Sequence, residues 1–301
     1  MATTTIAKVE AHSGIFGNEE ADRLANEGAA GQTSDEPQLA VQTEWTLGGA
    51  KINALSYSTA YAWLRKSFAK GKRSREDENV ERIQEALADN FNQQVSVNDI
   101  WLGLRSPYIR REIADFLWTA IHGRSPCGPM FSKWGEDWEE LQWCECGALE
   151  TMEHILTQCD DAIWRKHLWD EMTDLLRSSK IIPPVLCRRP LFEEIIGAGS
   201  VNLGNGPSTR LWATIISETA FMVWKLRNRR RFDGTRISTA MAIGLWRGSL
   251  EKRARSDLAA GRLKGPASAP QVKRRGEAET AWKAVLSVKG RAIDWKYTDY
   301  G

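Results

Sequence analysis

Apolar residues recur at spacings of three and four along most of the chain, and this period predicts a mainly helical protein. Val80, Ile83, Leu87 and Phe91 mark one side of an amphipathic helix over residues 79–91. A short helix over residues 97–104 follows, with Ser96 as its cap. Ser106-Pro107 joins a capping hydroxyl to a proline suited to the first helical position, so a helix is expected over residues 106–122, with Ile109, Ile113, Phe116, Leu117, Ala120 and Ile121 inward. Residues 160–178 continue the pattern through Ile163, Trp164, Leu168, Met172 and Leu175. The longest candidate is 208–231, with Leu211, Ile215, Ile216, Ala220, Val223 and Trp224 on its buried face. Further helices are expected over 237–258 and, around Trp282, over 278–288.

The punctuation between these segments is polar. Residues 31–49 read as a linker, 197–207 as a glycine-rich loop, and 261–275 as a flexible basic linker. The loop lacks a following GK[ST] and is no phosphate loop. Residues 188–196 hold a short helix at most. Toward the N-terminus, Tyr57, Tyr61, Leu64 and Phe68 give residues 50–70 an apolar side. The basic cluster Lys66, Lys70, Lys72, Arg73 and Arg75 then reads better as a solvated helix end than as a phosphate contact. Residues 6–9 alternate weakly, as a short strand would. Gly14 and Gly17 permit a sharp loop, and Asn18 is placed to cap a helix whose first turn carries Glu19 and Glu20 and whose buried stripe is Ala21, Leu24 and Ala25.

Charge refines this picture. The 301 residues carry a net charge of only +2, with 42% hydrophobic and 27% charged residues, a globular balance. Between Lys225 and Arg275, however, 15 Lys and Arg face 3 Asp and Glu, which leaves −10 for the rest. A basic segment on an acidic body points to a polyanionic partner: RNA, DNA or a hybrid of the two. Lys225, Arg227, Arg229, Arg230 and Arg231 are its densest part. They suit either the negative end of the preceding helix or a phosphate-binding or nuclear-import patch. No apolar run reaches the length of a membrane span, and the first residues lack the apolar core of a signal peptide. Five cysteines, three of them clustered, argue for metal rather than disulfides and for an intracellular, nuclear or cytoplasmic protein.

The cluster is Cys144, Cys146, His154 and Cys159, spaced C-x-C, seven residues, H-x4-C. Thiolate and neutral imidazole are the ligands tetrahedral zinc prefers, and two close pairs are its usual layout. A short helix is expected over residues 150–158, with Cys159 just past its end and Ile155 and Leu156 as apolar anchors. The competing reading is a pair of buried cysteines beside a surface histidine. A second half-site from His122 and Cys127 is also possible, although His122 fits a helix end better. Trp134, Trp138 and Trp143 sit among five carboxylates, which favours packing around the metal lobe over stacking on bases.

Two stretches carry family resemblances. His12-Ser-Gly-Ile-Phe-Gly-Asn-Glu-Glu-Ala-Asp22-Arg-Leu-Ala resembles the C-terminal end of type-1 ribonuclease H over about thirty residues. That resemblance implies proton transfer or product release for His12 and magnesium ligation for Asp22. Two-metal hydrolysis needs a cluster of anionic ligands. Only eleven residues precede His12, and Glu10 is the sole acid among them, so a truncated domain without independent activity is expected. Residues 106–169, with C-x-C-G-x-x-E-T-x-E-H-I-L-x-x-C at their heart, resemble the zinc-binding module downstream of reverse transcriptase and ribonuclease H in retrotransposon polyproteins. This implies zinc ligation by Cys144, Cys146, His154 and Cys159 and association with nucleic acid.

Together these readings predict a helical body around a small zinc-binding knuckle, preceded by a strand-loop-helix remnant of an α/β ribonuclease H fold. The expected segments are a remnant over 1–30, a linker over 31–49, and a helical region with the zinc module over 50–178, its core at 106–170. A loop over 179–207, a basic helical region over 208–260 and a basic tail over 261–301 complete the chain. The expected function is that of a retroelement-derived, nucleic-acid-associated protein. An active RNA–DNA hybrid ribonuclease and a helical interaction protein with a structural zinc site are the alternatives.

Overall fold

The computed structural model describes residues 14, 16–31, 56–68, 75–260, 269–289 and 292–296. The chain divides into two units, Met1–Lys70 and Gly71–Gly301. In the first, α1 spans Phe16–Ala30 and α2 spans Tyr57–Phe68. No residue of α1 is buried, which corrects the expected stripe: Leu24 is 55% exposed. An apolar stripe is buried only where a surface meets it, and the described residues supply none. The expected strand over residues 6–9 and all but the first residue of the expected linker over 31–49 lie outside the described residues.

The second unit is helical, consistent with the period in its sequence. It contains α3 (Arg75–Phe91), α4 (Val97–Leu104), α5 (Arg111–Ile121), α6 (Ile163–Ser179), α7 (Phe192–Ile196), α8 (Gly206–Phe232), α9 (Thr239–Ala260) and α10 (Ala269–Val285). Ser96 caps α4 in a reciprocal box with Asp99, as its position predicts. Ser106-Pro107 does not start α5. Those residues form a turn, in which Ser106 Oγ accepts the Tyr108 N–H at 3.3 Å, and the helix begins at Arg111. The turn instead places the Tyr108 carbonyl to accept from Thr214 Oγ1 at 3.1 Å, a tertiary bond that local capping rules do not see.

α8 is the axis of the unit. Residues 210–220 are buried without a break, so the helix is covered on every side rather than on the expected single face. Helices α5, α6, α7, α9 and α10 pack around it. Most of its buried polar groups are bonded, as burial favours, with Trp212 Nε1 and Arg210 Nε among the exceptions. Arg110 grips Glu218 through Nε and Nη2, each 2.7 Å from a carboxylate oxygen. Trp246 Nε1 donates to Thr219 Oγ1 at 2.8 Å, and Arg210 pairs with Asp257 at 2.9 Å.

The C-terminal segment also departs from expectation. The stretch from Ala269 is helical rather than a flexible linker, and α10 packs on α8 and α9. The last expected helix ends at Val285, where strand β1 (Leu286–Lys289) begins and pairs antiparallel with β2 (Ala292–Trp295). Leu286 and Trp295 face each other in register, and the Trp295 ring stacks on Trp246 with centroids 6.4 Å apart. No helix among the described residues is long and apolar enough to cross a membrane.

Candidate metal centre

The knuckle is built by local hydrogen bonds. Cys144 N–H donates to the Ala148 carbonyl at 2.8 Å, and Gly147 N–H to the Cys144 carbonyl at 2.9 Å. Trp143 bridges antiparallel to Leu149. This turn is tight enough to hold Cys144 and Cys146 at C-x-C spacing. It needs Gly147, whose φ of 83° is unfavourable for a side-chain-bearing residue.

The second ligand pair comes from one helical turn. Thr151 Oγ1 accepts the His154 N–H at 3.1 Å, and the chain runs through Met152 and Glu153 into a π-helical segment, His154–Gln158. Cys159 N–H then donates to the His154 carbonyl at 2.9 Å. The i to i+5 hydrogen bond of a π turn brings those two residues to the same side of the axis, whereas an α turn would leave them well apart around it. The widened turn is therefore what makes H-x4-C a ligand pair.

The four ligand atoms lie within 4.8 Å of one another. Cys144 Sγ is 3.6 Å from Cys159 Sγ, and Cys146 Sγ is 3.4 Å from His154 Nε2. Tetrahedral zinc, with Zn–S about 2.3 Å and Zn–N about 2.05 Å, sets ligand edges of about 3.8 Å for S···S and about 3.6 Å for S···N. The two pairs fit a metal ion to within a few tenths of an ångström. Cavity space beside the ligands is 40 Å³, far below the roughly 300 Å³ and more of a small-molecule pocket. The arrangement can hold an ion; it has no room for a substrate.

The surroundings favour the metal-binding forms of some ligands and penalise others. Burial first, and Arg165 second, hold the His154 imidazole below its ordinary pKa, so it is neutral and able to ligate. Burial pushes the Cys144 thiol up to about 12, so this sulfur is a thiol until a cation displaces its proton. Arg165 of α6 is 2% exposed and donates to the carbonyls of His154, at 2.9 Å, and Cys159. It thus pins both ends of the π turn. Trp169 Nε1 adds a bond to the Leu156 carbonyl at 2.8 Å. Spacing in the sequence does not reveal Arg165; its one signal is an arginine beside the apolar Trp164, Leu168 and Trp169.

The arginine run at the end of α8 faces this lobe. Arg227 is buried, places Nε 2.9 Å from Glu150 Oε1, and lies over the rings of Trp224 and Phe232 at 5.2 and 5.4 Å. That position corrects its expected role on a nucleic-acid surface, since its guanidinium is covered and paired. Arg230 pairs with Glu145, and Arg231 donates to the Glu140 carbonyl at 3.3 Å. Lys225 lies 4.9 Å over the Phe221 ring, and Arg229 is exposed. The acidic body thus neutralises part of the basic run within the fold.

Trp134 and Trp138 gather around the buried Phe131, with centroids 5.2 and 6.1 Å from its ring. They are not core residues: Trp134, Trp138 and Trp143 are 50%, 39% and 50% exposed. His122 closes α5 as expected, with Nδ1 2.9 Å from the Trp118 carbonyl and Nε2 3.2 Å from Glu76, and those partners replace any half-site with Cys127. Asp22 lies exposed on α1, while His12 lies outside the described residues. The described residues do not fit a magnesium pair at Asp22. Glu20 and Glu27 both bond Arg23, and the only group of three or more potential ligands found among the described residues is the Cys/His set. Comparison with protein-family models, curated proteins and solved structures finds no match to this chain.

Proposed function

We propose that this chain is a zinc-organised helical protein of retroelement ancestry that associates with nucleic acid and uses its metal for structure, not for chemistry. The observation that carries the structural role is the Cys144–Cys146–His154–Cys159 set, four protein ligands around a space too small for substrate. Catalytic zinc sites keep a position open; four-ligand sites are closed. The ancestry rests on the motif resemblances. The nucleic-acid role rests on the basic C-terminal third, with Arg229, Arg236 and Lys252 as exposed cations once Arg227, Arg230 and Arg231 are assigned to the fold.

Fluorescence anisotropy with single-stranded RNA, single-stranded DNA and an RNA–DNA hybrid tests this reading. Affinity falling with salt, and falling further in an Arg229→Ala/Arg236→Ala/Lys252→Ala variant, is the expected result. Absence of binding to all three probes at about 50 mM salt, where phosphate contacts are strong, favours an interaction protein instead. The inward-facing arginines are the observation on that side. Hybrid cleavage in Mg²⁺ that disappears in Asp22→Asn would establish the ribonuclease alternative.

A further inference from the structure

A second cavity, of 570 Å³, opens on the same unit, is lined by none of the four metal ligands and is unassigned by the metal reading. Its size is that of a small-molecule site, roughly 300–1,000 Å³. Arg75, Arg124 and Lys133 line it, all three exposed, and none makes an ion pair or side-chain hydrogen bond among the described residues. Of the lining acids, Glu153 is held by Arg82 at 2.9 Å, which leaves Glu78 to oppose them. The unpaired balance is three cations to one carboxylate. Ser125 lines the same cavity; it is 5% exposed and its hydroxyl has no partner. A buried hydroxyl left unbonded is destabilising, so an orphan in a cavity with unpaired cations marks a place for an acceptor. The remaining wall includes the partly exposed Met130, a soft surface suited to a heteroaromatic ring, alongside the buried Met152 and Phe192, whose ring is covered by Arg82 at 5.5 Å.

We infer that this cavity binds a nucleotide phosphomonoester, with the phosphate taken by Arg75, Arg124, Lys133 and the Ser125 hydroxyl and the base against Met130. A phosphomonoester carries about −1.5 to −2 at neutral pH and three acceptor oxygens, which matches the net unpaired charge and supplies Ser125 with a partner. The same chemistry exists on a free mononucleotide and on the 5′-phosphorylated end of a strand. The site shares no lining residue with the metal ligands or with the exposed cations Arg229, Arg236 and Lys252.

Calorimetric titration of the full, zinc-loaded chain tests it, with AMP, adenosine, and a five-nucleotide DNA bearing either a 5′-phosphate or a 5′-hydroxyl as probes. The 5′-phosphate should improve affinity at least about tenfold over its hydroxyl counterpart, the size of a charge-assisted contact. AMP binding in preference to adenosine identifies the free nucleotide; preference confined to the phosphorylated strand identifies a strand end. Arg124→Ala/Lys133→Ala removes two exposed, unbonded side chains, so Tm should hold while the phosphate preference is lost. Ser125→Ala should weaken it about tenfold. Equal affinity for phosphorylated and unphosphorylated probes, or a preference unchanged in both variants, overturns the inference. Loss of binding in the Arg229→Ala/Arg236→Ala/Lys252→Ala variant with the phosphate preference intact affects only the proposed nucleic-acid surface.

Discussion

Arg227 separates the structural from the functional account of the basic run most sharply. It is 6% exposed, and its partner Glu150 is 5% exposed. The guanidinium reaches the carboxylate through both Nε and Nη2, so Arg227→Ala leaves a buried anion without its counter-ion on the strand side of the knuckle. Removing one member of a buried pair costs about 3–5 kcal/mol, mainly because the remaining charge is uncompensated. For a unit of this size each kcal/mol is about 2–4 °C, so Tm should fall by about 6–20 °C. Thermal unfolding of the zinc-loaded chain, followed by tryptophan near-UV circular dichroism, measures it. Arg229→Ala is the control: that side chain is exposed, and surface changes stay within about 0.5 kcal/mol. Glu150→Ala/Arg227→Ala should cost less than the two single changes added, because neither charge is then left alone. If Arg227→Ala shifts Tm no more than Arg229→Ala does, the pairing argument fails and Arg227 returns to the nucleic-acid surface.

Four other outcomes follow from the structure. Cys144→Ser or Cys159→Ser should lower bound zinc from about one ion per chain to below about a tenth, with a fall in Tm, read by elemental analysis and melting; full zinc retention in both would refute the ligand set. Zinc loading should release roughly one proton per cysteine, since thiols such as Cys144, pushed up to about 12, ionise only on binding; titration in buffers of different ionisation enthalpy counts them. In chelator, His154, whose folded pKa is depressed by burial, contributes stability that is present above its unfolded pKa of about 6.5 and lost as pH falls through the lower folded value, because the unfolded chain then binds the extra proton. A Tm that falls less steeply just below about pH 6.5 in His154→Gln than in the parent is the expected pair of profiles. Gly199→Ala places a methyl 2.2 Å from the Gly103 carbonyl oxygen, a backbone neighbour that cannot rotate away, and should cost about 1–3 kcal/mol or more.

Much of this architecture was legible because it is local. A spacing of three and four encodes a helix face whatever packs against it, and α3 and the cap of α4 match that pattern. The C-x-C and H-x4-C pairs are close in the chain, so their convergence needed only a tight turn and one widened helical turn. The terminal strand pair was also locally encoded, as alternation in Leu286-Ser-Val-Lys and Ala292-Ile-Asp-Trp, and the helical period of the preceding residues masked it.

What only the tertiary structure decided is where charges and apolar faces find partners. The arginines of residues 227–231 look alike in sequence, yet Arg227 is buried on Glu150, 77 residues away, while Arg229 stays in water. Ser106-Pro107 has the composition of a helix start, but the Tyr108 carbonyl is held by Thr214 from α8, and the helix waits until Arg111. α1 has an amphipathic pattern that no described surface covers. Backbone conformation follows mostly from near neighbours; the burial and pairing of a side chain depend on which distant element arrives, and a single sequence does not carry that information in its period.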